Sequence, residues 1–261
     1  MKTAIKLVLI YFIMQALGML TAIPLSMIYL YATTGTVDEA AVTAQSLSPS
    51  LLLGFVYMAW YLQRKGYLKN DGFLYSRLST PYLMYSLLAG LSTIVWIDAL
   101  MTRLTFLPNW MEQSFDVMQS GWLGILCISL LGPILEEVLF RGAVTRELLK
   151  KYRPTKAIFI SALIFGLFHI NPVQVVGAFF SGLLFAWLYY KSRSLVPGIL
   201  IHVVNNSFSV WSTTAFPDAQ YINELMDRPI YWSLLAVTAF VLVISLKKLN
   251  DYETMNIENY D

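Results

Sequence analysis

The chain has 261 residues, 57% of them hydrophobic and only 13% charged, with a formal net charge of +2 and a mean hydropathy of +0.60. A soluble domain carries about 25% charged residues, so this composition argues against a soluble enzyme, a nucleic-acid binder and a disordered regulator. The expected fold is all-α: a polytopic transmembrane helical bundle with no room for a separate large soluble domain.

A membrane helix needs about 20 mostly apolar residues. Eight such runs are predicted, taken between polar punctuation marks. The first covers residues 5–31 and contains Pro24 as a point for a kink; the second covers 49–62 and the third 81–101. The fourth, 121–149, is long and interrupted by Gly132 and Pro133. The fifth, 155–170, is short and stops at Asn171-Pro172; the sixth, seventh and eighth cover 173–190, 195–214 and 230–246. With the N-terminus inside, the lysines and arginines other than Arg103, Arg141 and Arg228 all fall on inner segments. Asp38, Glu39, Glu112, Asp116, Asp218, Glu224 and Asp227 fall outside. This is the positive-inside bias, and it places both termini in the cytoplasm. The first run is too long for a signal peptide and lacks a clear small-residue cleavage site. The expected organisation is three N-terminal helices over residues 1–120, a core of five helices over 121–249, and a polar cytoplasmic tail over 250–261. Cys127 stands alone, so no intrachain disulfide is available.

The informative residues are polar ones in apolar helices. Glu136, Glu137 and Arg141 lie inside the fourth run, and the two histidines, His169 and His202, lie in the fifth and seventh. Ionisable groups at membrane depth are costly when unpaired and mark function by default. Helical residues four apart lie about 40° from each other around the axis, and adjacent ones about 100°. Arg141 is therefore placed to pair with Glu137, while Glu136 points elsewhere, into a separate polar cavity, where it can serve as a general base. His202 and Asn206 share a face and can donate hydrogen bonds to one developing oxyanion; Asn205 could substitute for Asn206. Pro133 lacks a backbone donor and can open the helix beside Glu136.

Glu-Glu-x-x-x-Arg at 136–141, Phe-x-x-x-His at 165–169 and His-x-x-x-Asn at 202–206 resemble the CPBP family, the CAAX-protease and bacteriocin-processing (Abi) membrane proteins. The motifs stand in the family's order, each on its own helix, and the resemblance covers residues 121–211. It implies an intramembrane endopeptidase. In that reading Glu136 and His169 activate a water, His202 and Asn206 stabilise the oxyanion, and Glu137, Arg141 and Asn205 support them. The substrate would be a membrane-associated peptide or protein, such as a prenylated CAAX-type tail, a peptide pheromone, a bacteriocin leader or a membrane-protein segment. The setting would be the plasma membrane of a prokaryote.

Blander explanations exist for each feature. The Glu137–Arg141 pair could fix helix packing, His169 could cap its helix, and the His202–Asn205–Asn206 group could join helices. A membrane scaffold or bacteriocin-immunity protein binding a partner is the alternative function. An ion-coupled transporter would also use intramembrane carboxylates, but no inverted repeat is visible. No cofactor is favoured. A divalent metal such as zinc on Glu136, His169 and His202 is the alternative, although the His-Glu-x-x-His pattern of soluble zinc proteases is missing. Gly177, Ala178, Ser181 and Gly182 are read as a close-packing surface.

Overall fold

The computed structural model describes residues 1–69 and 74–252. Among these, nine helices and no strands are present: α1 (Lys2–Thr34), α2 (Glu39–Arg64), α3 (Thr80–Met101), α4 (Glu112–Gln119), α5 (Trp122–Leu149), α6 (Pro154–Phe168), α7 (Pro172–Ser192), α8 (Val196–Ala215) and α9 (Arg228–Asp251). The fold is thus an all-α polytopic bundle. Of the predicted polar tail, all but residues 250–252 lies outside the described residues.

Every predicted run corresponds to one helix, and the helix ends follow local chemistry. The Asp38 carboxylate accepts the Ala41 N–H at 2.9 Å and starts α2 ten residues before the predicted boundary at Pro49. The Ser79 hydroxyl accepts the Tyr82 N–H, with Pro81 in the first turn of α3. Proline likewise opens α6, α7, α8 and α9, where its missing N–H costs nothing. Gly35 ends α1 in the left-handed region at φ 73°. The short helix α4 was not expected from the sequence; its eight residues lie in the loop before α5.

Six helices, α1, α2, α3, α5, α7 and α9, are long and apolar enough to cross a membrane. The other two predicted spans fall short for different reasons. Helix α6 has only 15 residues, whereas α8 has 20 but contains His202, Asn205, Asn206 and three serines. His169 directly follows α6 and His202 lies within α8, so polar residues shorten the apolar run only in α8.

Helix α5 is continuous but not uniform. Residues Cys127–Leu131 and Val138–Thr145 are wound as π-helix, a widening common at functional sites. At the first of these the Gly132 N–H reaches back five residues to the Cys127 carbonyl. The Ile128 carbonyl would then need the N–H of residue 133, which proline lacks.

One buried apolar cluster joins α1, α2, α5 and α6 through Leu7, Tyr11, Phe55, Met58, Leu139, Phe140, Phe165 and Phe168. A second joins α3, α7, α8 and α9 through Tyr82, Leu184, Leu188, Ile201 and Leu249. The first three helices thus pack against later ones. A side chain at Gly182 would press against Phe165 and Ala162, so α6 and α7 approach closely there, as the small-residue pattern predicts.

Candidate active site

The predicted polar residues converge from three helices. Glu136 and Glu137 come from the α-helical stretch between the two π-segments of α5. His169 stands at the C-terminal end of α6, and His202 sits in the first half of α8.

Glu137 is fully buried, and its Oε1 accepts from Arg141 Nη1 at 2.8 Å, four residues further along the chain. The guanidinium donates a second bond from Nη2 to the Gly182 carbonyl at 3.3 Å. Its carbon lies 4.2 Å from the centre of the Phe165 ring and 5.2 Å from that of Phe185. Those rings shield the charge from lipid and attract it through their π faces.

His202 occupies the space between the two glutamates. Its Nδ1 is 3.2 Å from Glu137 Oε1, and its Nε2 is 3.8 Å from Glu136 Oε2. The sequence suggested that Glu136 faces a cavity separate from Glu137, and this is corrected by the structure. A single imidazole has one nitrogen toward each carboxylate, because residues about 100° apart on a helix can still flank one ring arriving from another helix. The ring stacks obliquely on Phe185 at 5.4 Å and meets the edge of Phe165 at 5.9 Å.

His169 also approaches Glu136, with Nε2 3.9 Å from Oε2. Its Nδ1 lies 2.9 Å from the Phe165 carbonyl. A carbonyl only accepts, so Nδ1 carries the proton and Nε2 faces Glu136 as a free acceptor. The turn that follows is tightly held. Ile170 adopts φ 60°, a strained value for a β-branched residue. Asn171, almost fully buried, accepts from Trp110 N–H at 3.0 Å and donates to Asn109 at 2.9 Å.

Glu136 Oε2 thus lies within 3.9 Å of two imidazole nitrogens and hydrogen-bonds to no described residue. The spacing is too long for direct hydrogen bonds and fits a water bridging Glu136 to either imidazole.

The two asparagines have divided tasks. Asn206 Nδ2 donates to the Ile128 carbonyl at 3.0 Å, filling the vacancy that Pro133 leaves in the backbone ladder. Asn205 Nδ2 donates to Asn206 Oδ1 at 3.0 Å and orients it. One N–H of Asn206 remains for another acceptor.

Several contributors escape a reading that looks only for ionisable groups. Phe165 supplies both the carbonyl that sets the His169 tautomer and the ring against Arg141. Gly198 lies one turn before His202, and a Cβ there would sit 2.6 Å from Glu137 Oε2. Their sequence signals were the motif phenylalanine and a glycine four residues before a membrane histidine. Because Glu137 is pinned by Arg141 and His202, Gly198→Ala is expected to lower stability by about 1–3 kcal/mol. Gly121→Ala, with nothing within 4 Å of the added carbon, should be neutral. Thermal unfolding in mild detergent measures both.

The residues named for zinc were tested against this geometry. Ligand atoms around tetrahedral zinc stand about 3.4 Å apart at bond lengths of about 2.1 Å, less than the 3.8 and 3.9 Å found. Among the described residues no group of three His, Cys, Asp or Glu side chains is arranged to hold a metal ion.

Fold and site together define a membrane-embedded polar centre built from a paired glutamate motif and two histidines on separate helices. Residues 118–208 match the family model "Type II CAAX prenyl endopeptidase Rce1-like". The chain is 35% identical over 95 residues to the "Putative membrane peptidase YdiL" of Bacillus subtilis, a stretch covering 36% of this chain and 39% of that protein. It is 31% identical over 102 residues to the "Membrane-embedded CAAX protease MroQ" of Staphylococcus aureus, covering 36% and 41%. The chain thus spans about two fifths of the length of the curated relatives it matches. No solved structure matches it significantly. Over this stretch the chain is similar to CAAX-type membrane proteases.

Proposed function

We propose that this protein is an intramembrane endopeptidase that hydrolyses a peptide bond in a membrane-associated peptide or protein through a glutamate-activated water. The observation that carries this reading is the convergence of Glu136 Oε2 with the Nε2 atoms of His169 and His202 at 3.9 and 3.8 Å.

Glu136 takes a proton from the water, and the unprotonated Nε2 of His169 orients that water by accepting its other hydrogen. The water oxygen attacks the scissile carbonyl carbon, whose oxygen becomes an oxyanion. With Nδ1–H of His202 donating to the Glu137 carboxylate, its Nε2 donates to the oxyanion only as imidazolium. Arg141 balances the Glu137 charge. The free N–H of Asn206 is the second oxyanion donor. Collapse breaks the C–N bond, and Glu136 passes its proton to the leaving amine.

The substrate class is a segment that reaches the site from the bilayer: a prenylated CAAX-type tail, a peptide pheromone or bacteriocin leader, or a membrane-protein segment. The family description and the name of one relative support the first of these classes. The loop charges favour both termini in the cytoplasm, and the bacterial organisms of the relatives favour a prokaryotic plasma membrane.

The test is mass spectrometry of membrane peptides from cells carrying the wild type or Glu136→Ala, repeated with purified protein and a strong chelator. Peptides ending at a common cleavage position should appear only with the wild type, and the chelator should leave their yield unchanged. Identical peptide sets from both proteins would defeat the proposal, and loss of cleavage on chelation would defeat its metal-free form.

A further inference from the structure

We infer that Asn171 is the positioning residue of His169, locking the turn that presents this imidazole by docking it on the segment between α3 and α4; the inference rests on the hydrolytic reading above. Glu136 and His202 sit within helices. His169 does not. It directly follows the last residue of α6, and its N–H reaches back only three residues, to the Gly166 carbonyl at 3.1 Å. A helix end without further support frays. A misplacement of about 1 Å at a reacting group can cost about 10²-fold in rate, so this imidazole needs a hold from outside its own helix.

Asn171 supplies that hold. Its N–H donates to the His169 carbonyl, and its own carbonyl accepts from the Gln174 and Val175 N–H groups at 2.9 and 3.1 Å, at the start of α7. Pro172 keeps it extended, at ψ 113°. The residue is 1% exposed, and its side chain reaches groups 61 and 62 positions earlier in the chain. The Trp110 N–H can only donate, so Oδ1 faces it, and Nδ2 donates to Asn109 Oδ1. Both polar atoms of the amide are thereby used on the α3–α4 segment.

What this latch holds is a strained turn. Ile170, between His169 and Asn171, has φ 60° although it is β-branched, and it is 58% exposed. Such a conformation persists only where its surroundings impose it. The exposed Ile170 side chain contributes little of that restraint, so it comes through the bonds of Asn171. With the latch released the turn relaxes, His169 Nδ1 leaves the Phe165 carbonyl that fixes its proton, and Nε2 loses its place 3.9 Å from Glu136.

The experiment is NMR of the protein in nanodiscs with isotopically labelled histidine ring nitrogens. The chain has two histidines, so two rings give signals, and His202→Gln assigns them. Wild-type His169 is expected to show a protonated Nδ1 and an unprotonated Nε2. In Asn171→Ala the two nitrogens should move toward a common averaged position, and kcat should fall about 10–100-fold at unchanged KM. Adding Ile170→Gly should recover part of that loss, because glycine takes a positive φ without a Cβ clash. Asn109→Ala, which removes one latch bond and spares the other, should move both readouts the same way by less, and it carries the test if Asn171→Ala does not fold. A folded Asn171→Ala protein with wild-type His169 signals overturns the inference, because a residue that only stabilised the fold would lower the unfolding temperature and leave the ring untouched. Moved His169 signals alongside full hydrolysis by Glu136→Gln would instead remove the proposed chemistry and leave the latch standing.

Discussion

Glu136→Gln is expected to lower kcat by about three orders of magnitude, within the 10²–10⁴ range for removing a general base, while leaving the protein folded. Glutamine keeps the size of the side chain and the capacity to accept a hydrogen bond, but it cannot take a proton from water. The structural cost should be small. Glu136 Oε2 makes no hydrogen bond to a described residue, and its distances to His169 and His202 are those of a bridging water rather than an ion pair in contact. Cleavage of a reporter peptide in proteoliposomes, read beside the unfolding temperature, separates loss of chemistry from loss of fold. Undiminished turnover by a folded Glu136→Gln protein would refute the assignment.

The second large effect is on stability. Arg141→Met should destabilise the protein by about 3–5 kcal/mol, the usual cost of stripping one partner from a buried ion pair. Glu137 would then be left fully buried with His202 as its remaining partner, and Phe165 and Phe185 would lose the cation they enclose. The double variant Glu137→Gln with Arg141→Met should recover part of that loss, because no uncompensated carboxylate remains. Unfolding in a denaturing-detergent titration measures both proteins. An Arg141→Met protein as stable as the wild type would mean that the pair contributes nothing to the fold.

Parts of this arrangement were legible before any coordinates. The pairing of Glu137 with Arg141 follows from spacing alone, since residues four apart on a helix lie side by side. The eight predicted helices and their order follow from apolar runs, because lipid excludes unsatisfied backbone and polar side chains. Other parts were not legible. That one imidazole separates the two glutamates depends on how α8 approaches α5, and helix periodicity describes one helix at a time. The task of Asn206 was hidden as well. Pro133 signals a lost donor, but only the π-wound turn shows that the Ile128 carbonyl is the orphan, and only packing shows which side chain reaches it.

The sequence by itself determined that the chain is a membrane bundle, that its charge-bearing chemistry lies on three helices of the second half, and which family its motifs resemble. Those properties are local: apolar run length, residue type and spacing along one helix. The tertiary structure alone decided that Glu136, His169 and His202 come together and that Gly198 makes room for Glu137. Such contacts join residues as much as 66 positions apart in the numbering, from Glu136 to His202. They arise from the rotation and depth of whole helices, set by packing many side chains at once, and no short stretch of sequence encodes them.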